Sequence, residues 1–567
     1  MAVPTYFSSE AIIMIAALSY LSPALVLYLC AFILSIAPKR LISTIWLCAP
    51  VVALIVILFA AQPHPAVVVL GITLLPQQHD SLSRAFGLVL TSMLIMGAIY
   101  AAHQKNIIEK AAVFLYAGSA LGVAFSGDWI SLFFFWEIMA LASTIIIWSA
   151  GSAGSLHAGF RYLIFHLIGG MLLLAGIAGE FATTGQIQIA HLSLGSLSSW
   201  LILLGVLVNI GAFPLGAWLP DAYPQASWSG SVFLSMVTTK VGIYLLLRSF
   251  TGTELLMWVG LATGIHGLLY ALLQNELRRF LSYMLLSQLG IMICGIGLGT
   301  AMAQQGVIAH ALGSVIYMAI LFMVAGNIQE GKGVSRISLT AAILGAAALA
   351  ALPMTLGFIS KSIIVDAAAE TNFIVWLILI GIKLGTVVAV CKMFNFLWKI
   401  NSPFKKDSSS IITIIQQSSM ILPAVAILVG GIIPSFFYRL WTENFTYNAY
   451  DAAHLIQQSL ILVAAILIFY LLRKLFPHSL KHPPADIDYL WRHLGRSIAW
   501  WIMEKSNRVA VKIEKRLRDT GKATLINLSH WCGKERGLLC ASYTSILGMW
   551  ALVVLGIYLI IYLIPGN

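Results

Sequence analysis

Apolar runs of about 20 residues alternate with short polar stretches from one end of the chain to the other. An α-helix of that length spans the hydrocarbon core of a bilayer, since it rises about 1.5 Å per residue. The pattern therefore predicts an all-α polytopic membrane protein with about 16 transmembrane helices. The predicted spans are residues 11–36, 41–61, 84–102, 107–126, 128–149, 158–180, 198–219, 228–250, 255–274, 280–299, 305–328, 338–359, 373–398, 411–438, 456–472 and 541–564.

Two stretches of the chain do not fit this pattern. Residues 66–75 are apolar but too short to span, and they predict a hairpin or a piece that lies at the interface. Residues 484–537 mix Trp, Ile and Val with closely spaced Arg and Lys, as in DIDYLWRHLGRSIAWWIMEKSNRVAVKIEKRLRDTG. This segment is too charged to span, so it predicts either an amphipathic helix along the cytoplasmic interface or a helix packed on a partner subunit.

The composition agrees with a bilayer environment. Of the 567 residues 60% are hydrophobic and only 10% are charged, whereas a soluble domain has about 25% charged residues. Such a chain cannot cover a water-facing surface, which excludes a soluble enzyme, a nucleic-acid-binding protein and a secreted disulfide scaffold. The net charge of +12 comes from Lys and Arg clusters between apolar runs, which is the bias of cytoplasmic loops. No nucleic-acid partner is expected.

The six cysteines form no CxxC pair and lie mostly inside apolar runs, where we expect them to pack as small hydrophobic side chains. No metal site, iron–sulfur site or other cofactor is predicted, so any electron transfer would belong to a partner. Whether the chain works within an enzyme, such as a membrane oxidoreductase complex, is left open by the sequence.

Basic residues in the short loops indicate the orientation of the spans. Loops that follow odd-numbered spans carry pairs of basic residues, among them Lys39 with Arg40, and Arg278 with Arg279. Loops that follow even-numbered spans carry mainly acids, such as Glu370. We therefore expect the basic loops inside, both termini outside, and an integral protein of a bacterial cytoplasmic (inner) membrane.

Charged side chains inside apolar spans are costly and point to function by default. Glu137 lies in SLFFFWEIMALAST, and Lys240 lies about halfway along SVFLSMVTTKVGIYLLLR. We expect a proton-binding or charge-pairing role for both, and the alternative for Glu137 is a structural hydrogen bond to a neighbouring helix. Both side chains can hold or release a proton according to the charges around them.

Two histidines and an arginine also fall inside predicted spans. Arg161 and His166 lie in GFRYLIFHLIGG. Arg161 either pairs with Glu137 or extends to the interface, and His166 either relays protons or donates a packing hydrogen bond. His310 opens HALGSVIYMAILF, with Ser314 on the same face at i+4. This face could hold a chain of water molecules, or His310 could be satisfied by a neighbouring helix.

Prolines are expected to break two of the spans. Pro353 and Gly357 precede Lys361 in LPMTLGFISK, and Pro214 and Pro220 lie in the earlier stretch GAFPLGAWLPDAYPQ. Such breaks free backbone carbonyls, which are tolerated at membrane depth only where they line a cavity or are covered by protein. The four proline and glycine positions are therefore predicted hinges beside a functional lysine.

Two interrupted helices in corresponding halves of a chain are typical of an inverted-repeat transporter. The first repeat of five helices is predicted at residues 107–250 and the second at residues 255–400. The remaining parts are N-terminal helices at 1–106, C-terminal helices at 411–480, the amphipathic segment at 484–537 and a last helix at 541–564.

Four stretches carry a resemblance to a known family: FPLGAWLPDAYPQASWSGSVFLSMVTTKVGIYLLLR, NELRRFLSYMLLSQLGIM, HALGSVIYMAILFMVAG and LPMTLGFISK. They resemble the broken seventh helix with the eighth helix, the D-I-K-R-x-x-A-Y-S-x-x-S-Q-x-G segment, the eleventh helix and the broken twelfth helix of one family. That family is the antiporter-like subunits shared by respiratory complex I, Mrp-type cation/proton antiporters and membrane-bound hydrogenases. The similarity covers about residues 100–400, and TTKVGIY and the DIDYLWRHLG tail most resemble the Mrp-type D subunit.

The resemblance implies roles for four residues. Glu137 matches the family's fifth-helix glutamate, and Lys240 matches its eighth-helix lysine. Lys361 matches the twelfth-helix lysine, and His310 matches the first histidine of the eleventh helix. These four side chains are the expected proton relay.

The chain also departs from the family pattern. The seventh-helix lysine, which usually partners the glutamate, is Asn209 here, and the sixth-helix lysine is Arg161. Gly216 replaces a histidine of the broken seventh helix. On the eleventh helix Ser314 replaces the second histidine, and Met318 replaces a lysine. Asn and Ser can hold water but cannot store a charge at neutral pH, so a modified or partial proton path is expected.

The sequence predicts a proton-translocating antiporter-like subunit of a multi-subunit membrane complex, with protons relayed through buried charged residues. The complex would be an Mrp-type antiporter of a monovalent cation such as Na+, or a proton pump like complex I. One alternative is a membrane scaffold of the same fold with reduced or no proton conduction, which supports another transport or uptake protein. A further alternative is an independent substrate carrier. The expected partners are other membrane subunits, protons and the lipid bilayer.

Overall fold

The computed structural model describes residues 21–60, 66–69, 71–331, 335–400, 411–442 and 444–472, together with Trp501 and Glu504. The chain divides into two compact units, Met1–Pro484 and Ala485–Asn567. In the second unit only Trp501 and Glu504 are described, and both are helical. The predicted amphipathic segment 484–537, apart from these two positions, and the predicted last span 541–564 lie outside the described residues.

The described part of the first unit consists almost entirely of helices. They are α1 (Pro23–Ile36), α2 (Lys39–Phe59), α3 (Ser81–Tyr100), α4 (Ile107–Phe125), α5 (Trp129–Trp148), α6 (Ala153–Thr184), α7 (Leu197–Ile210), α8 (Trp218–Ala222), α9 (Gly230–Met236), α10 (Thr238–Ser249), α11 (Leu255–Leu273), α12 (Leu277–Leu298), α13 (Ala301–Gln329), α14 (Arg336–Leu349), α15 (Leu356–Thr371), α16 (Phe373–Ile400), α17 (Ile411–Ile432), α18 (Pro434–Tyr438) and α19 (Ala452–Leu472). Two strands, β1 (Val67–Val69) and β2 (Ile72–Leu74), lie between α2 and α3.

Twelve stretches of helix in the described part of the chain are long and apolar enough to cross a membrane, as an integral membrane protein requires. Three further apolar helices, α1, α7 and α14, are shorter. The predicted number of 16 spans is not reached among the described residues. Two spans are interrupted and so give short helices, and the last predicted span lies outside the described ranges.

The apolar residues 66–75 form a hairpin, one of the two forms that the sequence predicts. β1 and β2 pair antiparallel, and Gly71 has φ of +80°, a left-handed conformation that glycine adopts without strain. The Leu75 N–H donates to Asp128 Oδ2 at 2.7 Å, and the Ser131 N–H donates to Asp128 Oδ1 at 2.7 Å. Asp128 thereby joins the hairpin to the start of α5.

Helix α13 lies at the centre of the described bundle. The apolar 18-residue stretch that would cross the membrane is entirely buried in α13, whereas only 17% of the corresponding stretch of α19 is buried. Large hydrophobic side chains are exposed on the outer helices, for example Leu29 and Phe32 on α1 and Val463 and Leu467 on α19. Lipid tails are as apolar as these side chains, so an exposed apolar surface is stable in a bilayer.

Helices α11 and α12 are in close contact beside α13. A Cβ atom on Gly290 would lie 2.2 Å from the backbone nitrogen of Gly264, and one on Gly260 would lie 2.2 Å from the backbone nitrogen of Cys294. Small residues let transmembrane helices approach closely, and van der Waals packing then drives their association in lipid. Gly260 and Gly290 therefore set the spacing of this helix pair.

Each of the two predicted repeats contains an interrupted helix. α7 and α8 flank a break within residues 107–250, and α14 and α15 flank a break within residues 255–400. The inverted relation of the two repeats stays a prediction. At the second of these breaks an open carbonyl group lies beside a buried charged side chain, that of Lys361.

Candidate functional site

The first break separates α7 from α8. Gly211 follows α7 with φ of +79°, and Pro214 lies inside the break. The Phe213 N–H donates to Thr263 Oγ1 of α11 at 2.9 Å, so a neighbouring helix satisfies the open backbone. Pro220, predicted as a second hinge, lies instead in the first turn of α8, where proline is tolerated because that N–H has no intrahelical partner.

The second break separates α14 from α15. Ala351 and Met354 have positive φ values of 57° and 67°, and Pro353 lies between them. Gly357, predicted as a hinge, is instead the second residue of α15. A Cβ atom there would lie 1.7 Å from the carbonyl oxygen of Ala348. Glycine is required at this position because the two half-helices approach so closely.

Lys361 binds a carbonyl that the second break leaves open. Its side chain is buried, and Nζ donates to the carbonyl oxygen of Leu349, the last residue of α14. The last carbonyls of a helix have no intrahelical partners and carry partial negative charge. The ammonium group therefore closes the end of this half-helix.

Lys240 has the same arrangement at a third break. α9 ends at Met236 and α10 begins at Thr238, with Val237 between them at φ −112° and ψ −76°. The Lys240 Nζ donates to the carbonyl oxygen of Ser235 at 2.7 Å. Neither Gly nor Pro marks this break, which is why the sequence predicts a continuous eighth span.

His310 connects the surroundings of the two lysines. It is fully buried on α13, and its Nδ1 lies 3.2 Å from Oγ of Ser360, the neighbour of Lys361 in the chain. Helix α10, which carries Lys240, and helix α15, which carries Lys361, both pack against α13. The Nε2 atom has no hydrogen-bond partner among the described residues. Ser314, one turn further along α13, donates its hydroxyl hydrogen within its own helix.

Glu137 lies against α6. A Cβ atom on Gly170 would be 1.9 Å from Oε1 of Glu137 and 2.9 Å from its Cδ, so the carboxylate occupies the space above this glycine. The Oε1 atom is buried and has no hydrogen-bond partner in the described part of the chain. The carboxylate is thus held by packing and has an acceptor available for water.

Arg161 pairs with Asp221 and not with Glu137. Its Nε donates to Asp221 Oδ2 at 2.6 Å and its terminal nitrogen donates to Oδ1 at 2.9 Å. Arg161 precedes Gly170 by nine residues on α6 and so lies about 14 Å from it along the helix axis. At this distance Arg161 does not pair with Glu137 as expected. It forms a bidentate contact with Asp221 that joins α6 to α8.

His166 and Asn209 are buried and incompletely hydrogen-bonded. The His166 ring centroid lies 3.9 Å from that of Tyr162 and 4.7 Å from that of Trp218. Neither ring nitrogen of His166, nor Nδ2 of Asn209, has a partner within the described ranges. His166 precedes Gly170 by four residues, so the ring and the Glu137 carboxylate share one face of α6.

A cluster of hydroxyl groups joins α4, α5, α6 and α10. The Tyr116 hydroxyl lies 2.6 Å from Thr238 Oγ1 and accepts the Thr238 N–H at 2.9 Å. The Tyr162 hydroxyl donates to Ser143 Oγ at 2.9 Å and lies 3.5 Å from Thr238 Oγ1. Thr238 is two residues from Lys240. The members of this cluster are uncharged, so the charges inside the spans did not indicate it. The sequence feature that could have indicated it is the presence of Tyr and Thr within apolar spans.

Four more side chains on the inner helices have buried polar atoms without hydrogen-bond partners in the chain as described: Thr239, Ser287, Gln288 and Tyr317. Buried polar groups in native proteins are nearly always bonded, and ordered water is the usual partner where protein is not. Helices α10, α12 and α13 therefore offer positions for water around the lysines. Within the described ranges no three His, Cys, Asp or Glu side chains are grouped so that they could hold a metal ion.

Lys383 and Asp366 are further ionisable groups near Lys361 that the sequence-based predictions do not include. Lys383 is buried on α16, and this helix packs against α15, which carries Lys361 and Asp366. The signal that could have found Lys383 is a charge inside the thirteenth predicted span. Asp366 and Lys383 extend the set of ionisable side chains beyond the four expected ones.

Comparison with known proteins matches the same part of the chain. Residues 126–388 match the family described as NADH:quinone oxidoreductase/Mrp antiporter, TM. The matched stretch contains Glu137, Lys240, His310 and Lys361. All four expected relay residues therefore lie within it.

Two curated relatives and one solved structure show the range of the similarity. The chain is 28% identical over 356 residues to the Na(+)/H(+) antiporter D subunit of Alkalihalophilus pseudofirmus. The aligned part covers 57% of this chain and 71% of that protein. It is 31% identical over 295 residues to the NADH-quinone oxidoreductase N subunit of Desulforudis audaxviator. The aligned part covers 46% of this chain and 59% of that protein. A chain of the Mrp complex from Dietzia sp. DQ12-45-1b has the same fold, with TM-score 0.61 and 19% identity over 80% of this chain and 97% of that one.

Proposed function

We propose, from the match of residues 126–388 to the NADH:quinone oxidoreductase/Mrp antiporter family, that the chain is a proton-translocating antiporter-like subunit of a multi-subunit membrane complex. The observation that carries the proposal is a pair of buried lysines at broken helices. Lys240 and Lys361 each donate to a helix-end carbonyl, and the helices that carry them, α10 and α15, both pack against α13, the helix of His310.

A lysine held by a helix-end carbonyl is suited to release and regain a proton. The neutral amine still has N–H groups to donate, so the carbonyl fixes Nζ in both protonation states. If the side chain of Lys240 or Lys361 turned away, the carbonyl would lose its partner in a water-poor interior. The group can therefore change its charge without changing its place.

His310 supplies the connection between the lysines. Imidazole can take up a proton at one ring nitrogen and release one from the other. Its Nδ1 faces Ser360 beside Lys361, and Nε2 is open to a water molecule. Like charges this close repel, so a proton that arrives on one group favours the departure of a proton from the next. This arrangement supports the proposed stepwise transfer from Lys240 through His310 to Lys361.

The hydroxyl cluster offers a route to Lys240 that needs no seventh-helix lysine. Asn209 cannot carry a charge at neutral pH. Tyr162 lies between His166 and Thr238, the first residue of α10. A hydroxyl accepts one hydrogen bond and donates another, so such a row can pass protons when water completes it. Protons bound near Glu137 thus have a path towards Lys240.

The proposed surroundings follow from the loops and the relatives. We place the chain in a bacterial cytoplasmic (inner) membrane with both termini outside, because basic residues such as Arg40 and Arg279 lie in the first turns of helices, next to the loops assigned to the inside. Other membrane subunits would be its partners. A monovalent cation such as Na+ is the proposed coupling ion, by analogy with the Na(+)/H(+) antiporter to which the chain is similar. A reporter fused after Arg279 is expected to read cytoplasmic.

A membrane scaffold with little or no proton conduction is the second candidate. Asn209 stands where the family usually has the lysine that partners Glu137. Arg161, the nearest replacement, is engaged by Asp221. If Glu137 has no cationic partner in any subunit, its charge could be dispensable. The two candidates differ in how they respond to neutralisation of the buried charges.

The test uses the complex purified gently with the subunits that accompany the chain. After reconstitution into lipid vesicles, an imposed Na+ gradient should drive proton movement, which a pH-sensitive dye reports. Glu137→Gln and Lys240→Ala should each lower the flux about tenfold or more, since each removes a group that binds the transferred proton. Unchanged flux in both variants, or none in the unmodified complex, favours the scaffold.

Lys392 provides a matched control for the loss of a buried lysine. Its Nζ donates to the carbonyls of Leu272 and Gln274 at the end of α11. Lys392→Ala therefore removes a similar contact outside the Lys240–His310–Lys361 row. This variant is expected to keep its proton flux, so an equal loss in Lys392→Ala and Lys240→Ala would indicate a structural effect.

A further inference from the structure

A second set of titratable side chains leads from Lys361 towards the end of α15. Lys383 is buried on α16, which packs against α15, the helix that carries both Lys361 and Asp366. Asp366 follows Lys361 by five residues and so lies about 7.5 Å further along the helix axis. Lys383 and Asp366 therefore continue the row of proton-binding groups.

Asp366 is held by two side chains from the chain beyond α18. The Tyr447 hydroxyl donates to Asp366 Oδ2, and His454 Nε2 lies 2.6 Å from the same oxygen. The Asp366 and His454 side chains are 22% and 23% exposed, whereas Lys361 and Lys383 are only 2% and 4% exposed. The row thus passes from a buried region to one that water reaches.

His454 has a second ring nitrogen that its contact with Asp366 does not use. The Nδ1 atom is buried and has no hydrogen-bond partner among the residues that the structure describes. A buried polar atom without a partner needs an explanation, and a purely structural histidine offers none. A ring with one nitrogen on a carboxylate can pass a proton to water at the other nitrogen.

The segment that carries Tyr447 is fixed against the rest of the bundle. Trp441 Nε1 donates to Gln305 Oε1 of α13 at 2.5 Å, and the Tyr450 hydroxyl donates to the carbonyl of Gly431. These contacts lie on either side of Tyr447 in the chain. Its hydroxyl is therefore held in place to orient the carboxylate.

We propose that Asp366 and His454 form the terminal proton relay, at the membrane face where α15 ends, with Tyr447 as a positioning residue. The inference rests on the proposed function and names its last proton acceptors. In the outward direction the Lys361 ammonium gives a proton to the neutral Lys383 amine, which gives it to the Asp366 carboxylate. The carboxylic acid gives it to His454 Nε2 as the Nδ1 proton leaves to water. The starting tautomer returns when Nδ1 takes up a proton from water and Nε2 releases one to water.

Variants of Asp366 in the reconstituted complex test the first half of the relay. Asp366→Asn keeps the size of the side chain but cannot take up a proton, and the flux should fall about tenfold or more. Asp366→Glu retains a carboxylate and should recover most of the flux. Glu370→Gln, at an exposed acid one turn further along α15, is the matched control and should have no effect.

Chemical rescue tests His454 within a single protein preparation. His454→Ala should lose flux, and imidazole added to the vesicles should restore much of it, because the free base can occupy the vacated site. Lys240→Ala in the same imidazole measures any leak that the base itself causes. A structural histidine would not be rescued in this way, so absence of rescue overturns the role of His454.

The outcomes separate this inference from the proposed function. If Lys240→Ala abolishes flux while Asp366→Asn keeps it, the terminal relay is overturned and the proposed function stands. If both variants keep full flux, the proposed function itself is contradicted. Loss in Asp366→Asn with recovery in Asp366→Glu supports the relay.

Discussion

The Glu137 carboxylate lies directly above Gly170, close enough that a Cβ atom on this glycine would be 1.9 Å from Oε1. A side chain of any size at position 170 would therefore displace the carboxylate. His166 lies one turn away on the same face of α6. The position of Glu137 beside His166 thus depends on a glycine that makes no polar contact itself.

Gly170→Ala should displace Glu137 and lower proton flux about tenfold or more, since small misplacements of a reacting group are costly. Flux into vesicles, normalised to folded yield, is the measurement. Gly313→Ala is the matched control, because its Cβ atom would meet Leu356 at an ordinary 3.5 Å. Full flux in Gly170→Ala would mean that the observed position of Glu137 is irrelevant to transport.

Arg161 and Asp221 should contribute to stability and not to proton transfer. The pair is bidentate but partly exposed, with side-chain exposures of 36% and 14%, so its contribution is about 1 kcal/mol. Arg161→Gln and Asp221→Asn should each lower the melting temperature by a few degrees and leave flux intact. The double variant should be no less stable than the less stable single variant. A loss of flux in Arg161→Gln alone would restore Arg161 as a partner of Glu137.

Asn209 should act through water. Its Nδ2 atom is buried and lacks a partner in the residues described, so a water molecule bound there fits the site. Asn209→Leu should dry the site and lower flux, whereas Asn209→Lys should fold and raise it, because Arg161 is engaged by Asp221 and does not compete for Glu137. Flux and folded yield of both variants are the measurements. Full flux in Asn209→Leu would show that protons bypass the seventh helix.

The central residues could be found from the sequence because charges inside apolar spans are rare. Glu137 and Lys240 stand out on that ground. His310 and Lys361 were supported by the family resemblance, and Lys361 also by the break before it. The two proline-containing breaks are signalled by their prolines. The break at Val237 has no such signal, because the conformation of one residue between two helices depends on tertiary contacts. The positions of the helices could therefore be predicted from the sequence. Of the three breaks, the two that contain proline could be predicted and the one at Val237 could not.

Contacts between distant parts of the chain could not be predicted. Arg161 finds Asp221 60 residues away, although the family pattern and the charge of Glu137 favoured a different pair. The sequence predicts Gly357 as a hinge. In the structure a glycine is needed at this position because the backbone packs closely against the carbonyl oxygen of Ala348. In both cases the local sequence pattern indicated that the residue is important. It did not indicate which residue it contacts.

Asp80 should make stability depend on pH. It caps α3 and binds Arg248. Burial raises the pKa of Asp80, but the Arg248 guanidinium and hydrogen bonds from Ser83 outweigh burial and hold the pKa below its usual value. A carboxyl with a lowered folded-state pKa stabilises the fold above its unfolded value of about 3.9 and loses that contribution as the pH falls through the folded value.

Asp80→Asn keeps an oxygen for the cap and removes mainly the charge. The variant should melt at a lower temperature than the unmodified protein at pH 7, and the difference should shrink below about pH 4. Thermal unfolding in detergent across this pH range is the measurement, with Glu370→Gln as a control at an exposed acid. A difference that stays constant to the lowest pH would exclude the ionised pair as its cause.

His310 is the proposed connection between the two lysines, and its replacement tests the proposed path most directly. His310→Gln can still bond to Ser360 but cannot take up a proton near neutral pH. His266, a buried histidine on α11 packed against Phe213, gives the matched control His266→Gln. The measurement is proton flux in vesicles that contain the purified complex. The account predicts a loss of about tenfold or more in His310→Gln and little change in His266→Gln, and undiminished flux in His310→Gln would contradict it.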